Sequence, residues 1–141
     1  MKRNKALLVI DMQKGSFTYQ TPRYDTEGAI SRINKMADRF RELEFPVLYI
    51  QHDGTGSGEF EKHTAEWEIL DGLRVESTDL LIDKYANDVF YKSKLQATLE
   101  QLQTDELYIS GCATDFCVES TVQSALSKDF NITVIADGHT T

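Results

Sequence analysis

The sequence predicts a three-layer α/β/α sandwich built around a mostly parallel, Rossmann-like sheet. Three observations carry that prediction. Five short apolar runs rich in β-branched residues lack polar alternation, which suits strands covered on both faces. Helical periodicities fall between several of these runs, and strands alternating with helices build parallel βαβ units. The length, 141 residues, is enough for one domain to bury a core without staples.

The elements follow in chain order. ALLVID (6–11) is the first strand. Ile30, Ile33, Met36, Ala37, Phe40 and Leu43 then recur at helical spacing. PVLYIQH (46–52) is the second strand, and the stretch at 53–73 after it shows no steady period and opens with closely spaced glycines. A loop this long in a compact domain is expected to be functional or disordered, and its glycine-rich part to shape the entrance to a site. DLLIDK (79–84) is the third strand. Leu95, Leu99 and Leu102 in KLQATLEQLQT form the next apolar stripe, and ELYISG (106–111) the fourth strand. Val118, Val122, Ala125 and Leu126 make a stripe that closes near Lys128, and ITVIAD (132–137) is the fifth strand. The sequence ends at ADGHTT, where this architecture normally adds a covering helix. A single domain over 1–141 with its C-terminal helix missing is therefore expected.

A net charge of −8 argues against nucleic-acid and anionic-membrane partners, which need clustered Lys and Arg. No apolar run approaches the roughly 18–20 residues of a membrane span. The start, MKRNKALLVIDMQ, is too short in its apolar part for a secretory signal and lacks a small-residue cleavage site. The expected location is cytoplasmic, where a disulfide is unusual.

Ligands of open α/β sheets sit outside the carboxyl ends of the strands. Those ends carry Asp11, Gln51 and His52, Asp83 and Lys84, the Cys112–Cys117 turn, and Asp137. Each position alone is explained by strands ending in water, but an acid, a lysine and a cysteine on one edge form a reactive combination. Two cysteines and three histidines do not supply a structural zinc site at ligand spacing. Cys117 is either a small buried hydrophobe or a nucleophile. With Thr114 or Asp115 as helix N-cap, its thiol meets unpaired N–H groups and the positive end of the helix dipole, which favour thiolate. The same N–H groups can receive an oxyanion. Asp11 is placed to act as base and Lys84 to favour both anions.

ALLVIDMQKGSF, DKYANDVFYKSKL and YISGCATDFCVESTVQSALSKDFNITVIAD resemble the isochorismatase-like cysteine hydrolases, a group that includes nicotinamidases and N-carbamoylsarcosine amidohydrolase. The resemblance spans nearly the whole chain. It implies a catalytic triad of Asp11, Lys84 and Cys117, a cis peptide between Cys112 and Ala113, and an oxyanion hole from the Ala113 and Cys117 amides. It also implies hydrolysis of a C–N bond in a small amide, ureide or lactam through a thioester, and a homo-oligomer, dimer or larger. Phe17, Trp67 and Phe90 correspond to family positions near the cleft, and His52 is a candidate for the pocket lining. No cofactor is implied. Where metal-binding relatives carry Asp-x-His, this chain has Ile50-Gln51-His52, and His52 and His63 without a carboxylate make a poor metal site. A phosphoreceiver module is disfavoured because the lysine and the acids fall on the wrong strands. The alternative to an enzyme is an inactive small-molecule-binding or assembly protein of the same fold.

Overall fold

The computed structural model describes residues 4–18, 20 and 22–141. Met1–Arg3, part of the basic start considered above, lie outside the described residues. Five strands, β1 (Lys5–Ile10), β2 (Val47–His52), β3 (Leu80–Lys84), β4 (Glu106–Cys112) and β5 (Asn131–Thr140), form one parallel sheet in the order β3-β2-β1-β4-β5. Helices α1 (Thr26–Glu42), α2 (Leu95–Gln101) and α3 (Glu119–Ser127) cover its faces.

Alternating side chains of the strands divide the core in two. Leu7, Val9, Val47 and Tyr49 point to one face and pack under Ile33, Ala37 and Phe40 of α1. Leu8, Ile10, Leu48, Ile50 and Ile82 point to the other and meet Leu95 and Leu99 of α2 and Val118 and Ala125 beside and within α3. The near-continuous burial of β1 and β2 is why those runs show no polar alternation in the sequence. Among the described residues no helix is long and apolar enough to cross a membrane.

Three expectations need correction. Leu126, counted in the stripe of α3, is 56% exposed, because the helix turns only its Thr121 and Ala125 face fully inward. β5 does not end at Asp137 but runs to Thr140, through a register shift opposite Ile109 and Gly111. The chain after β4 is not capped by Thr114 or Asp115. It starts with a π-helical turn, Thr114–Val118, that has no side-chain cap. Thr114 Oγ1 instead shares a hydrogen bond with His139 Nδ1 at 2.7 Å, and Asp115 Oδ1 accepts one from Thr141.

β1 departs toward β2, while β4 lies against its opposite edge, so the carboxyl ends of β1 and β4 flank a topological switch point. Gly111 makes the close approach possible there. Its φ is +118°, and a Cβ would stand 2.1 Å from the carbonyl oxygen of Ile10, so no other residue fits.

Candidate active site

Asp11 leaves β1 in a left-handed conformation, φ 53°, which aspartate tolerates better than most residues. Its Oδ2 is 2.9 Å from Lys84 Nζ. Lys84 ends β3 two residues after Ile82, so both point to the face that α2 and α3 cover. Asp83, one residue out of phase, faces the other way and pairs with Lys62 at 2.7 Å. Lys84 is 1% exposed. Its ammonium also donates to Ala86 O at 2.8 Å and to Cys117 Sγ at 3.2 Å, so all three of its N–H donors are engaged.

Cys117 sits in the π-helical turn, and its thiol also reaches Asn87 Oδ1 at 3.4 Å. The expected low thiol pKa is not what this environment produces. Burial first, and the Asp11 carboxylate second, push Cys117 up to about 11, against the opposing pull of Lys84. The resting form at neutral pH is therefore the thiol, close to the Asp11 carboxylate. Cys112 lies deeper, gives its hydrogen to Asp11 O at 3.3 Å, and is pushed by burial to about 12. The peptide bond joining it to Ala113 is cis.

A cavity of about 240 Å³ opens onto these groups, with Asp11, Lys84, Cys112, Ala113 and Cys117 in its wall. His52 also lines it, with burial and then the Lys84 charge holding its pKa below the usual imidazole value. The structure does not place the three expected aromatics there. Phe17 packs into the α1-side core under the Arg23 guanidinium, 5.6 Å from ring to cation. Trp67 stands edge-on to His63 at 5.1 Å, and only its backbone carbonyl serves the site region. Phe90 is buried in the other core, stacked on Phe130 at 5.9 Å.

The walls are instead completed by Ser16, Arg23, Phe60, Asn87 and Phe116. Of these Asn87, three residues after Lys84, and Phe116, directly before Cys117, carry a local signal. Phe60 comes from the long loop and meets His52 edge-on at 5.8 Å. Gln13, fully buried, ties that loop down: Nε2 donates to His52 O at 3.1 Å and Trp67 O at 2.8 Å, and Oε1 accepts from His52 N at 2.8 Å. Gln51 Nε2 adds a bond to Trp67 O at 3.2 Å. Ile50, which stands where the resemblance puts the Asp of Asp-x-His, is buried in β2 and supplies no carboxylate. Among the described residues no group of three or more His, Cys, Asp and Glu is placed to hold a metal ion.

The sequence model of the isochorismatase domain matches residues 5–141. The probable inactive nicotinamidase At3g16190 of Arabidopsis thaliana is 28% identical in an alignment of 164 residues, which covers 96% of this chain and 80% of that protein. Nicotinamidase 3 of the same plant is 26% identical over 151 residues, covering 96% and 73%. A crystal structure of an isochorismatase family protein superposes with a TM-score of 0.94 at 26% identity, covering 100% of this chain and 83% of the other.

Proposed function

Because this chain belongs to the isochorismatase family, we propose that it is a cysteine hydrolase that cleaves the C–N bond of a small amide, ureide or lactam. The observation that carries this reading is the buried Lys84 ammonium, 2.9 Å from Asp11 and 3.2 Å from Cys117 at one cavity.

As Cys117 Sγ attacks the substrate carbonyl, the thiol proton passes to Asp11. The carbonyl oxygen takes the negative charge and lies against the Ala113 and Cys117 N–H groups. When the tetrahedral adduct collapses, Asp11 gives the proton to the departing nitrogen, the C–N bond breaks, and a thioester remains on Cys117. Water then attacks the thioester and gives its proton to Asp11. The second adduct expels the Cys117 sulfur, which recovers that proton, and the carboxylic or carbamic acid leaves. Lys84 stays charged throughout and offsets whichever partner, Asp11 or Cys117, is anionic. The catalytic unit is proposed to be a homo-oligomer, for which the exposed Leu81, Tyr85 and Tyr91 offer apolar contact surface.

Ammonia release from a panel of primary amides and ureides, with ring opening followed by mass spectrometry for lactams, tests the reading. Turnover is expected to survive a chelator and to fall by about 10³-fold or more in Cys117→Ala and by roughly 10²–10⁴-fold in Asp11→Asn. The second reading, an inactive binding or assembly protein, is favoured by the similarity to a probable inactive nicotinamidase. It predicts no turnover, and equally slow alkylation of Cys112 and Cys117.

A further inference from the structure

We propose that His139 is a positioning residue for this reaction: through Thr114 it holds the turn that presents the Ala113 and Cys117 amides to the substrate carbonyl. This rests on the hydrolase reading above and adds to it a residue from outside the catalytic cavity. The path of β5 is the first argument. Ile109 pairs with Val134, but the next pairs are Gly111 with His139 and Cys112 with Thr140. Over that step β4 advances by two residues and β5 by five, so β5 bulges and then rejoins β4 beside the catalytic turn. Bulges next to active sites re-aim side chains, and here the re-aimed side chain is His139.

The turn itself is the second argument. Thr114–Val118 has no side-chain cap. The N–H groups of Phe116 and Val118 both go to Ala113 O at 3.1 Å, which closes the turn on itself. Its ties to the rest of the molecule come from the end of β5. Thr114 Oγ1 and His139 Nδ1 share a part-buried hydrogen bond at 2.7 Å, and Thr141 Oγ1 donates to Asp115 Oδ1 at 2.6 Å in an exposed one. The end of β5 is anchored in turn, because Thr140 Oγ1 donates to Tyr24 O and Tyr24 N donates to Thr141 O at 3.3 Å.

His139 is not in the wall of the catalytic cavity. It borders a separate hollow with Tyr24 and Thr114, so its effect on the chemistry passes through Thr114. Thr114 follows Ala113 directly, and a shift of the turn carries both proposed oxyanion donors with it. Such donors act only when they already stand where the charge develops, and a misplacement of about 1 Å can cost roughly 10²-fold in rate.

The test compares the full chain with His139→Ala, His139→Asn, Thr114→Val and the double variant His139→Ala/Thr114→Val. Steady-state kinetics are measured on an amide of the panel that is turned over. Propanal is then used to protect Cys117 from iodoacetamide, with labelling followed by mass spectrometry. When propanal adds, the S–C bond forms and the thiol hydrogen ends on the former carbonyl oxygen, which lies against the same two N–H groups. Displacement of iodide by the sulfur needs no such donors, so the iodoacetamide rate alone reports an intact fold and thiol. His139→Ala is expected to lower kcat roughly tenfold and to raise the half-protecting propanal concentration several-fold. KM and the iodoacetamide rate should stay nearly unchanged. His139→Asn, whose side-chain amide can replace Nδ1 toward Thr114, should recover most of the loss. Thr114→Val should match His139→Ala, and the double variant should be no worse than either.

Unchanged kcat and propanal protection in His139→Ala overturn the proposal, as do additive losses in the double variant. Parallel loss of turnover, protection and iodoacetamide labelling in His139→Ala and His139→Asn alike also overturns it, because His139 then serves folding. Propanal that fails to protect Cys117 in the native chain removes the oxyanion site and the inference with it. The protection assay needs no turnover, so the two readings separate. If amides are hydrolysed and His139→Ala changes nothing, only the present inference fails. His139-dependent protection in a chain that hydrolyses no amide leaves His139 holding the turn and removes the hydrolase.

Discussion

Lys84 is the residue on which the site turns. Its ammonium is nearly inaccessible and is held by three partners, two of them the groups that exchange a proton in the proposed reaction. Removing one partner of a buried ion pair leaves an uncompensated charge, which costs more than the pair itself contributes. Lys84→Met is therefore expected to destabilise the fold by about 3 kcal/mol in urea unfolding, and to abolish turnover. Adding Asp11→Asn removes the stranded carboxylate, so the double variant should be more stable than the sum of the two single changes requires. Strict additivity would mean that the two groups do not sense one another. How much of this site is legible in the sequence also depends on single residues. Asp11 and Lys84 stand out because one follows a strand directly and the other ends one, and Cys117 because it falls in the helical turn just after β4. The choice of Lys84 over Asp83 is a matter of phase: Lys84 follows Ile82 at period two, and a one-residue slip would exchange them. Ser16, Arg23 and Phe60 come from turns and loops with no periodicity, so their convergence depends on backbone paths that no local pattern encodes.

At the scale of elements, the same contrast separates strands from the long segment at 53–73. The strands are legible because both faces of the sheet are covered and apolar runs result. The segment lacks a period because its apolar anchors, Ile69, Leu70 and Leu73, are gathered at its end, while the part before them is held by polar bonds. Gln13 bridges His52 and Trp67, Gln51 reinforces Trp67, and Phe60 is thereby set against His52 at the cavity. Trp67, prominent in the sequence as an aromatic, matters to the site through its carbonyl oxygen. Gln13→Ala would leave the part-buried His52 N–H without its acceptor, at a cost of about 1 kcal/mol. Hydrogen exchange should then quicken across residues 53–73 while the amides of β1 and β4 keep their protection. An increase confined to residues next to Gln13 would show that the loop is held by other contacts. The start of α3 departs from the sequence expectation for a related reason: a π-helical turn takes the place of an ordinary cap, and the polar side chains of Thr114 and Asp115 bond to the end of β5 and to Thr141 instead.

At the scale of the whole molecule, the parallel sheet collects the carboxyl ends of its strands on one edge, and the switch between β1 and β4 opens a cleft there. The cost is that two thiols are enclosed beside a carboxylate. The pKa of Cys112 rises from an ordinary 9.0 to about 12, chiefly through burial, and that of Cys117 to about 11. A thiol whose folded-state pKa is raised keeps its proton where the unfolded chain has already lost it. The resulting stability is complete below pH 9 and disappears as pH climbs through the folded values, so the vulnerable window runs from pH 9 to about 12. Within it, Cys112 alone can contribute a slope of at most about 1.4 kcal/mol per pH unit. Urea unfolding midpoints measured from pH 8 to 11 should decline for the native chain. Cys112→Ala begins less stable, because a buried side chain has been trimmed, but should decline less steeply over the same range. Lysine titration is common to both chains and cancels in the comparison. Parallel declines would mean that the Cys112 thiol is not enclosed as the packing of β4 against Asp11 requires.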